Sequence, residues 1–384
     1  MNETALKVKN TFGKKFKETP VLFYSPGRIN LIGEHVDYND GFVMPAAIDK
    51  GVYFAIALNN SEKINFYSID FDESISINIS EVKKSDGWKN YVLGVVNEIQ
   101  KLNLPIEGFD CVFGGDIPIG GGMSSSAALE GGVSYGLNEL SNFKMNRKEL
   151  ALLGQRAEHD FPNVKCGIMD QYANMLGKKK MVILLDCKKV THEYVPLRLE
   201  GFQIVLINTK VHHSLASSAY NQRRNECEKG LKILQKESDI QSFRDIENPA
   251  DLFVFEKIMG EAVYKRCSFV VEEIYRTKKA AKLLKEDDIT GFGKLMFETH
   301  EGLKNKYEVS CKELDFLVDV AKENKNVVGA RLMGGGFGGC TINIVKEKSV
   351  SSFVKEAITT YQNKFNIDAE SYVMKVADGT NEIK

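Results

Sequence analysis

The chain has 384 residues, 27% of them charged and 43% hydrophobic, the balance of a folded globular protein rather than a disordered one. That length exceeds what one core usually serves, so two domains are expected. Lys and Arg number 51 against 52 Asp and Glu, a net charge of −1 that argues against a general nucleic-acid binder while leaving room for a local basic pocket.

The first stretch, Met1 to Lys17, is polar and lysine-rich and lacks the apolar core of a signal peptide. No apolar run approaches the roughly 20 residues needed to span a bilayer, so no membrane partner is expected. The seven cysteines (Cys111, Cys166, Cys187, Cys227, Cys267, Cys311, Cys340) are scattered and never spaced as C-x-x-C. That pattern fits reduced thiols and a cytoplasmic protein, not a disulfide framework or a zinc site.

Short apolar and alternating runs dominate early: Val21 to Tyr24, Phe42 to Ala46, Val52 to Leu58, Ile64 to Tyr67, and Ile75, Ile77, Ile79. They predict strands of a largely antiparallel sheet. Asn146 followed by Glu149 predicts a capped helix start, with Leu150, Leu153 and Ala157 at helical spacing behind it. A second set of elements opens with the strand Phe202 to Asn208 and continues through polar helices to about Lys325. Val327 to Leu332, a run of glycines and Thr341 to Val345 read as strand, tight loop, strand; a helix from Val350 and a strand Ser371 to Val376 follow. Strands mixed with helices in both halves predict two α+β domains, residues 1–194 and 195–384.

Three places carry chemistry. The run Gly120-Gly121-Gly122-Met123-Ser124-Ser125-Ser126 lies between the apolar stretch Cys111 to Phe113 and a helix marked by Leu129, Val133, Leu137 and Leu140. Strand, glycine loop, helix start presents backbone N–H groups to an anion. Glycines let phosphate approach, and serines add hydroxyl donors and a ligand for Mg²⁺. Gly131, Gly132 and Gly136 inside the helix each cost about 1 kcal/mol relative to Ala, so close packing is expected there. The chain has no G-x-x-x-x-G-K-[ST], so this is not a P-loop. Alone, the run would also suit a flexible loop capped by serine.

The second place is Ser25 to Asn39, in which Arg28, Glu34, His35 and Asp37 crowd among Gly27 and Gly33. Carboxylates and imidazole accept hydrogen bonds from vicinal hydroxyls, so the cluster suits a polyhydroxylated ligand. Arg28 suits a phosphoryl group or a carboxylate. A solvated turn with incidental ion pairs has the same composition. The third place is Ala157 to Gln171. Here Glu158 shares a helix face with Gly154 and Ala151, whose small size lets another element approach, as a metal ligand facing the loop would need.

These segments resemble one family. Gly27 to Tyr38 is similar to the sugar-binding signature of galactokinases. Pro118 to Ala128 resembles the phosphate loop of the wider superfamily of galacto-, homoserine, mevalonate and phosphomevalonate kinases, and Gly334 to Gly339 resembles its third motif. The first motif is specific for galactokinases; the other two mark the superfamily. Gly334, Gly336 and Gly339 also satisfy G-x-G-x-x-G, but a dinucleotide fold needs a helix next, and Cys340 to Val345 reads as a strand.

The resemblance implies a two-domain fold of this superfamily, with mixed sheets, packed helices and an active site in the cleft between the domains. It implies ATP-dependent phosphorylation of galactose at the C1 hydroxyl by a monomer. Asp170 would be the general base and Arg28 its charge-stabilising partner. Glu34, His35, Asp37, Gly167, Asp170 and Tyr220 would bind the sugar. Gly120 to Ser126 would hold ATP phosphates, with Trp88 near the adenine, and Ser126 and Glu158 would hold Mg²⁺. Relatives often carry an acidic residue where this chain has Ala219, beside Tyr220. Two rivals are a kinase for another sugar, such as N-acetylgalactosamine or arabinose, and a galactose-sensing regulator without catalysis. The regulator lineage shortens the serine–alanine run, which is complete here from Ser124 to Ala128.

Overall fold

A computed structural model describes residues 2–118, 121–212 and 216–384, with the side chains of 212, 216 and 217 left aside. The elements in chain order are α1 (Glu3–Lys15), β1 (Val21–Asn30), β2 (Phe42–Val43), β3 (Pro45–Leu58), β4 (Lys63–Ser68), β5 (Glu73–Asn78), α2 (Lys89–Lys101), β6 (Phe109–Gly115), α3 (Ser125–Ser141), α4 (Arg147–Asp160) and α5 (Met169–Leu176). There follow β7 (Met181–Asp186), β8 (Thr191–Pro196), β9 (Phe202–His212), α6 (Ala216–Glu237), α7 (Glu256–Met259), α8 (Glu261–Lys285), α9 (Ile289–Gly302), α10 (Lys312–Glu323), β10 (Val327–Leu332), β11 (Gly338–Lys346), α11 (Val350–Phe365), β12 (Glu370–Met374) and β13 (Asn381–Glu382).

Three sheets result among the described residues: β13-β1-β3-β6-β4-β5, β10-β11-β9-β12 and β2-β7-β8. All their pairings are antiparallel except β4 with β6. The first sheet buries Phe23, Phe54, Ile56 and Phe113 against Val92, Val96, Val133, Leu137 and Leu153 of α2, α3 and α4. Its other face takes Val8 and Phe12 of α1. In β9 the residues alternate between two cores, as the strand period of two requires. Ile204 and Leu206 meet Phe292 and Met296 of α9, while Val205 and Ile207 meet Leu317 of α10 and Phe353 of α11.

The glycines inside α3 are close-approach residues. A Cβ on Gly131 would lie 2.0 Å from Asn174 Oδ1 and one on Gly132 would lie 2.0 Å from the Phe54 ring, so only glycine lets α3 sit this deep on the sheet and α5. The capping box at Asn146 and Glu149 forms as the spacing predicts.

Four departures matter. The first strand does not stop at Tyr24: Ser25 to Asn30 continue it, with Arg28 opposite Ala47 and a register shift between Pro26 and Arg28. The helices α1 and α2 and the strands β7 and β8 have no counterpart in the sequence expectations. The last strand of the second sheet is Glu370–Met374, not Ser371 to Val376, because Val376 leaves it to bridge Ile48. The chain then returns to the first sheet, where β13 pairs with β1. All seven cysteines are free, four of them fully buried as small core residues.

Candidate active site

Two cavities are linked through hydrogen bonds of Arg28 and Asp170, which line one, to Gly122 and Ser124, which line the other. The larger, about 670 Å³, is lined by Gly121, Gly122, Met123, Ser124, Ser125 and Ser126 on one side and by Trp88, Tyr91, Phe71 and Phe113 on the other. The smaller, about 190 Å³, is lined by Arg28, Glu34, His35, Asp37, Glu158, Gly167, Asp170 and Tyr220, with Gly334 and Gly335 of the hairpin between β10 and β11. Every expected site residue among those described therefore lines one cavity or the other. Gly120 lies outside the described residues.

The loop conformation follows from its residues. Ser124 adopts a left-handed conformation with φ 55° and makes no capping bond to the helix it precedes. Its hydroxyl instead donates to Asp170 Oδ2. The first-turn N–H groups of α3 thus lack a side-chain cap and face the larger cavity, the arrangement that receives an anion. A capped flexible loop is not what forms. Met123 contributes its backbone: the side chain is buried, and its carbonyl accepts from Arg28 N–H at 3.0 Å. Gly27 permits that approach, since a Cβ there would meet the same carbonyl at 2.6 Å.

Arg28 is the node between the cavities. Its Nε donates to Asp170 Oδ1 and its Nη2 to Asp170 Oδ2, both at 2.7 Å, while Nη1 donates to the Gly122 carbonyl at 2.5 Å. Burial opposes the guanidinium charge, and Asp170 outweighs it, holding Arg28 protonated above its ordinary value. Bidentate geometry fixes the plane of both groups. The carboxylate of Asp170 lies at the first turn of α5, held between a strand-borne arginine and the loop serine.

Behind the loop, Glu130 of α3, Glu158 of α4 and Gln171 of α5 form a buried polar cluster. Gln171 Nε2 donates to Glu158 Oε2 at 2.6 Å and to Glu130 Oε2 at 3.1 Å, and the nearby Ser126 hydroxyl favours the charged form of Glu158. Burial, then the Asp170 charge, pushes Glu158 up to about 7. Burial and the neighbouring Glu158 charge push Glu130 well above the usual carboxylate range. Gly154 leaves room for this approach, as a Cβ there would lie 3.1 Å from Gln171 Cγ.

In the smaller cavity, Glu34 Oε1 accepts from Gly334 N–H at 2.8 Å and from Arg331 Nη1 at 3.0 Å. His35, at φ 60°, bonds through Nδ1 to the Tyr38 hydroxyl at 2.7 Å and through Nε2 to the Gly335 carbonyl at 3.2 Å. The carbonyl can only accept, so Nε2 carries a proton; in the neutral ring Nδ1 then accepts from the Tyr38 hydroxyl. Burial, which pushes His35 down to about 4, agrees. Burial, with Asp170 and Glu34 adding, pushes Asp37 up to about 7. A Cβ on Gly167 would lie 2.0 Å from Asp37 Oδ2, so glycine is what lets that carboxyl reach the cavity wall. Tyr220 packs at 5.4 Å from the His35 ring and 5.5 Å from Tyr38, despite Ala219 beside it.

Trp88 serves two ends. It is 8% exposed, stacks edge-on against Phe113 at 5.0 Å and donates from Nε1 to Glu73 Oε2 at 3.1 Å, while one side lines the larger cavity. Sequence reasoning missed Glu130, Gln171 and Arg331. Gln171 had a signal in adjoining Asp170, and Arg331 in preceding the glycines.

The geometry is that of a phosphotransferase, and the comparisons agree. Residues 90–178 match the model for the N-terminal domain of GHMP kinases and residues 280–364 that for their C-terminal domain. A mevalonate kinase of Methanococcus jannaschii shares the fold, with a TM-score of 0.64 over 94% of this chain and 100% of that one at 22% identity. Residues 10–58 match the galactose-binding signature of galactokinases. The chain is 42% identical to a galactokinase of Clostridium acetobutylicum over 98% of its length and 97% of the relative's, and 40% identical to one of Bacillus subtilis over 98% and 99%. The galactokinase of Lactococcus lactis in complex with galactose superposes with a TM-score of 0.95 at 38% identity, covering 98% and 99% of the two chains. This chain belongs to the galactokinase family of GHMP kinases.

Proposed function

We propose that this chain transfers the γ-phosphoryl group of ATP to the C1 hydroxyl of galactose, giving galactose 1-phosphate and ADP. The observation that carries the reading is the convergence of Arg28 and Ser124 on Asp170, at the seam between a phosphate-accepting helix start and a cavity lined by hydroxyl-binding groups. The sugar occupies the smaller cavity against Glu34, His35, Asp37, Gly167 and Tyr220, with its C1 hydroxyl on Asp170. ATP occupies the larger one, its phosphates on residues 121–126 and its base beside Trp88. As the C1 oxygen forms its bond to the γ-phosphorus, the bond from that phosphorus to the β,γ-bridging oxygen breaks and ADP leaves. The hydroxyl proton passes to Asp170, and Arg28 holds that carboxylate in line.

The residues present fit a divalent cation. Ser126 is near enough to Glu158 to favour its charged form, and the neighbouring Glu130 Oε1 and Gln171 Oε1 are buried without partners among the described residues. Ser126 and Glu158 would hold Mg²⁺. No group of three or more His, Cys, Asp or Glu among the described residues is arranged for a metal, so water and phosphate oxygens would supply its remaining ligands. When bound, Mg²⁺ neutralises charge on the β- and γ-phosphates.

The same reading divides the chain near residues 194 and 195 into two domains with the site between them, the tail after Met374 rejoining the first sheet, and has it work as a cytoplasmic monomer. Among the described residues no helix is long and apolar enough to cross a membrane. ADP release measured across free sugars, with phosphorus NMR of the product, tests the function. Galactose should be preferred and its phosphate anomeric; absence of turnover with every aldohexose would sink the reading.

A further inference from the structure

Arg331, on β10, is wholly buried and among the largest side chains so placed. Its Nε donates to the Leu31 carbonyl at 2.9 Å, Nη1 to the Leu332 carbonyl at 2.6 Å and to Glu34 Oε1 at 3.0 Å, and Nη2 to the Asn30 carbonyl. A guanidinium has five N–H groups in a rigid fork, so four bonds leave it almost no freedom. The three carbonyls fix the fork on the backbone of β10, of the last residue of β1 and of Leu31 just beyond it, and the fourth bond fixes Glu34. Glu34 is itself only 2% exposed, and its Oε1 already takes a second bond from Gly334 N–H. The hydrogen bonds described for its carboxylate all fall on Oε1, and the residue lines the smaller cavity. A buried carboxylate with one oxygen saturated can offer a ligand only the other, in one direction.

We propose that Arg331 is a positioning residue for sugar specificity: it locks Glu34 so that Oε2 alone meets one hydroxyl of the sugar. This rests on the proposed use of the smaller cavity for galactose. The chemistry explains why an arginine is placed here. A lysine would satisfy the charge of Glu34 but could not also span the carbonyls of Asn30, Leu31 and Leu332 with a fixed plane. Because Gly334 and Gly335 bond Glu34 and His35 respectively, the β10–β11 hairpin holds both sugar-facing groups from behind.

The test compares kcat/KM for galactose and for its four monodeoxy analogues at positions 2, 3, 4 and 6 in three proteins: unaltered, Glu34→Gln and Arg331→Lys. Glu34→Gln should remove most of the penalty at the position whose hydroxyl Glu34 holds. Arg331→Lys should reduce the penalty at that same position by roughly tenfold, within the range of coupled neighbours. It should also raise the KM for galactose while leaving that for ATP unchanged. An Arg331→Lys protein that folds with an unaltered deoxy profile, or that loses rate equally with every analogue, overturns the proposal. Unchanged penalties in Glu34→Gln would instead remove the sugar-site reading beneath it. Should Arg331→Lys not fold, Glu34→Gln/Arg331→Met removes both buried charges together. Its deoxy profile must then match that of Glu34→Gln alone, and further loss at other positions counts against the proposal.

Discussion

Arg28 and Asp170, 142 residues apart, meet through two parallel N–H···O bonds of 2.7 Å, one end of the pair anchored on the Gly122 carbonyl. The loop and the carboxylate are therefore set by one planar group. Arg28→Lys keeps the charge but loses the fork, freeing both Asp170 and the loop. We expect kcat to fall on the order of 10²-fold, with the thermal midpoint checked to separate this from unfolding. Steady-state kinetics with galactose varied at saturating ATP measures it.

Gly167→Ala tests the wall of the smaller cavity. The added methyl would sit 2.0 Å from Asp37 Oδ2, so the carboxyl must move. The expected result is a rise in the KM for galactose on the order of tenfold, with the KM for ATP unchanged.

Asp37 makes stability depend on pH. Its pKa in the folded protein lies near 7, raised by burial and then by Asp170 and Glu34. The unfolded chain loses that proton at about pH 4, so between these values only the folded protein holds it. The group destabilises the fold increasingly as pH rises through that window, fully above 7, and not at all below about 4. Asp37→Asn should thus raise the melting temperature on the order of 2–4 °C at pH 8 and leave it unchanged at pH 4, while weakening galactose binding. Melting curves of both proteins at the two pH values decide this. A gain that is the same at both would contradict the assignment.

Trp88 is the chain's only tryptophan, so its emission reports directly on the larger cavity. ATP should change that emission saturably, and galactose alone should not. Trp88→Phe keeps the core packing against Phe113 and should raise the KM for ATP about 2–10-fold, the range of one aromatic contact.

Most of the site was legible because its residue types crowd into short stretches. Three of the sugar-facing groups, with Arg28, fall between Arg28 and Asp37, and the loop announces itself by glycines and serines. Their setting was less legible. Ser25, Pro26 and Gly27 look like the end of a strand, yet β1 continues because β3 covers it through to Asn30. The helix α1 hides its apolar face, since Ala5, Val8 and Phe12 are separated by lysines, and its burial depends on Tyr53 and Val112 far along the chain. Glu130 reads as a surface residue of an apolar helix, and only the fold brings it to Gln171 and Glu158. Arg331 and Glu34 stand 297 residues apart, a pairing that no local pattern encodes.

The most direct test is Asp170→Asn, which preserves shape and one acceptor for Arg28 while removing the proton acceptor. Turnover of galactose should fall by about 10²–10⁴-fold, with galactose binding by equilibrium dialysis kept within about threefold. Turnover equal to that of the unaltered protein would contradict the assignment of phosphoryl transfer to this site.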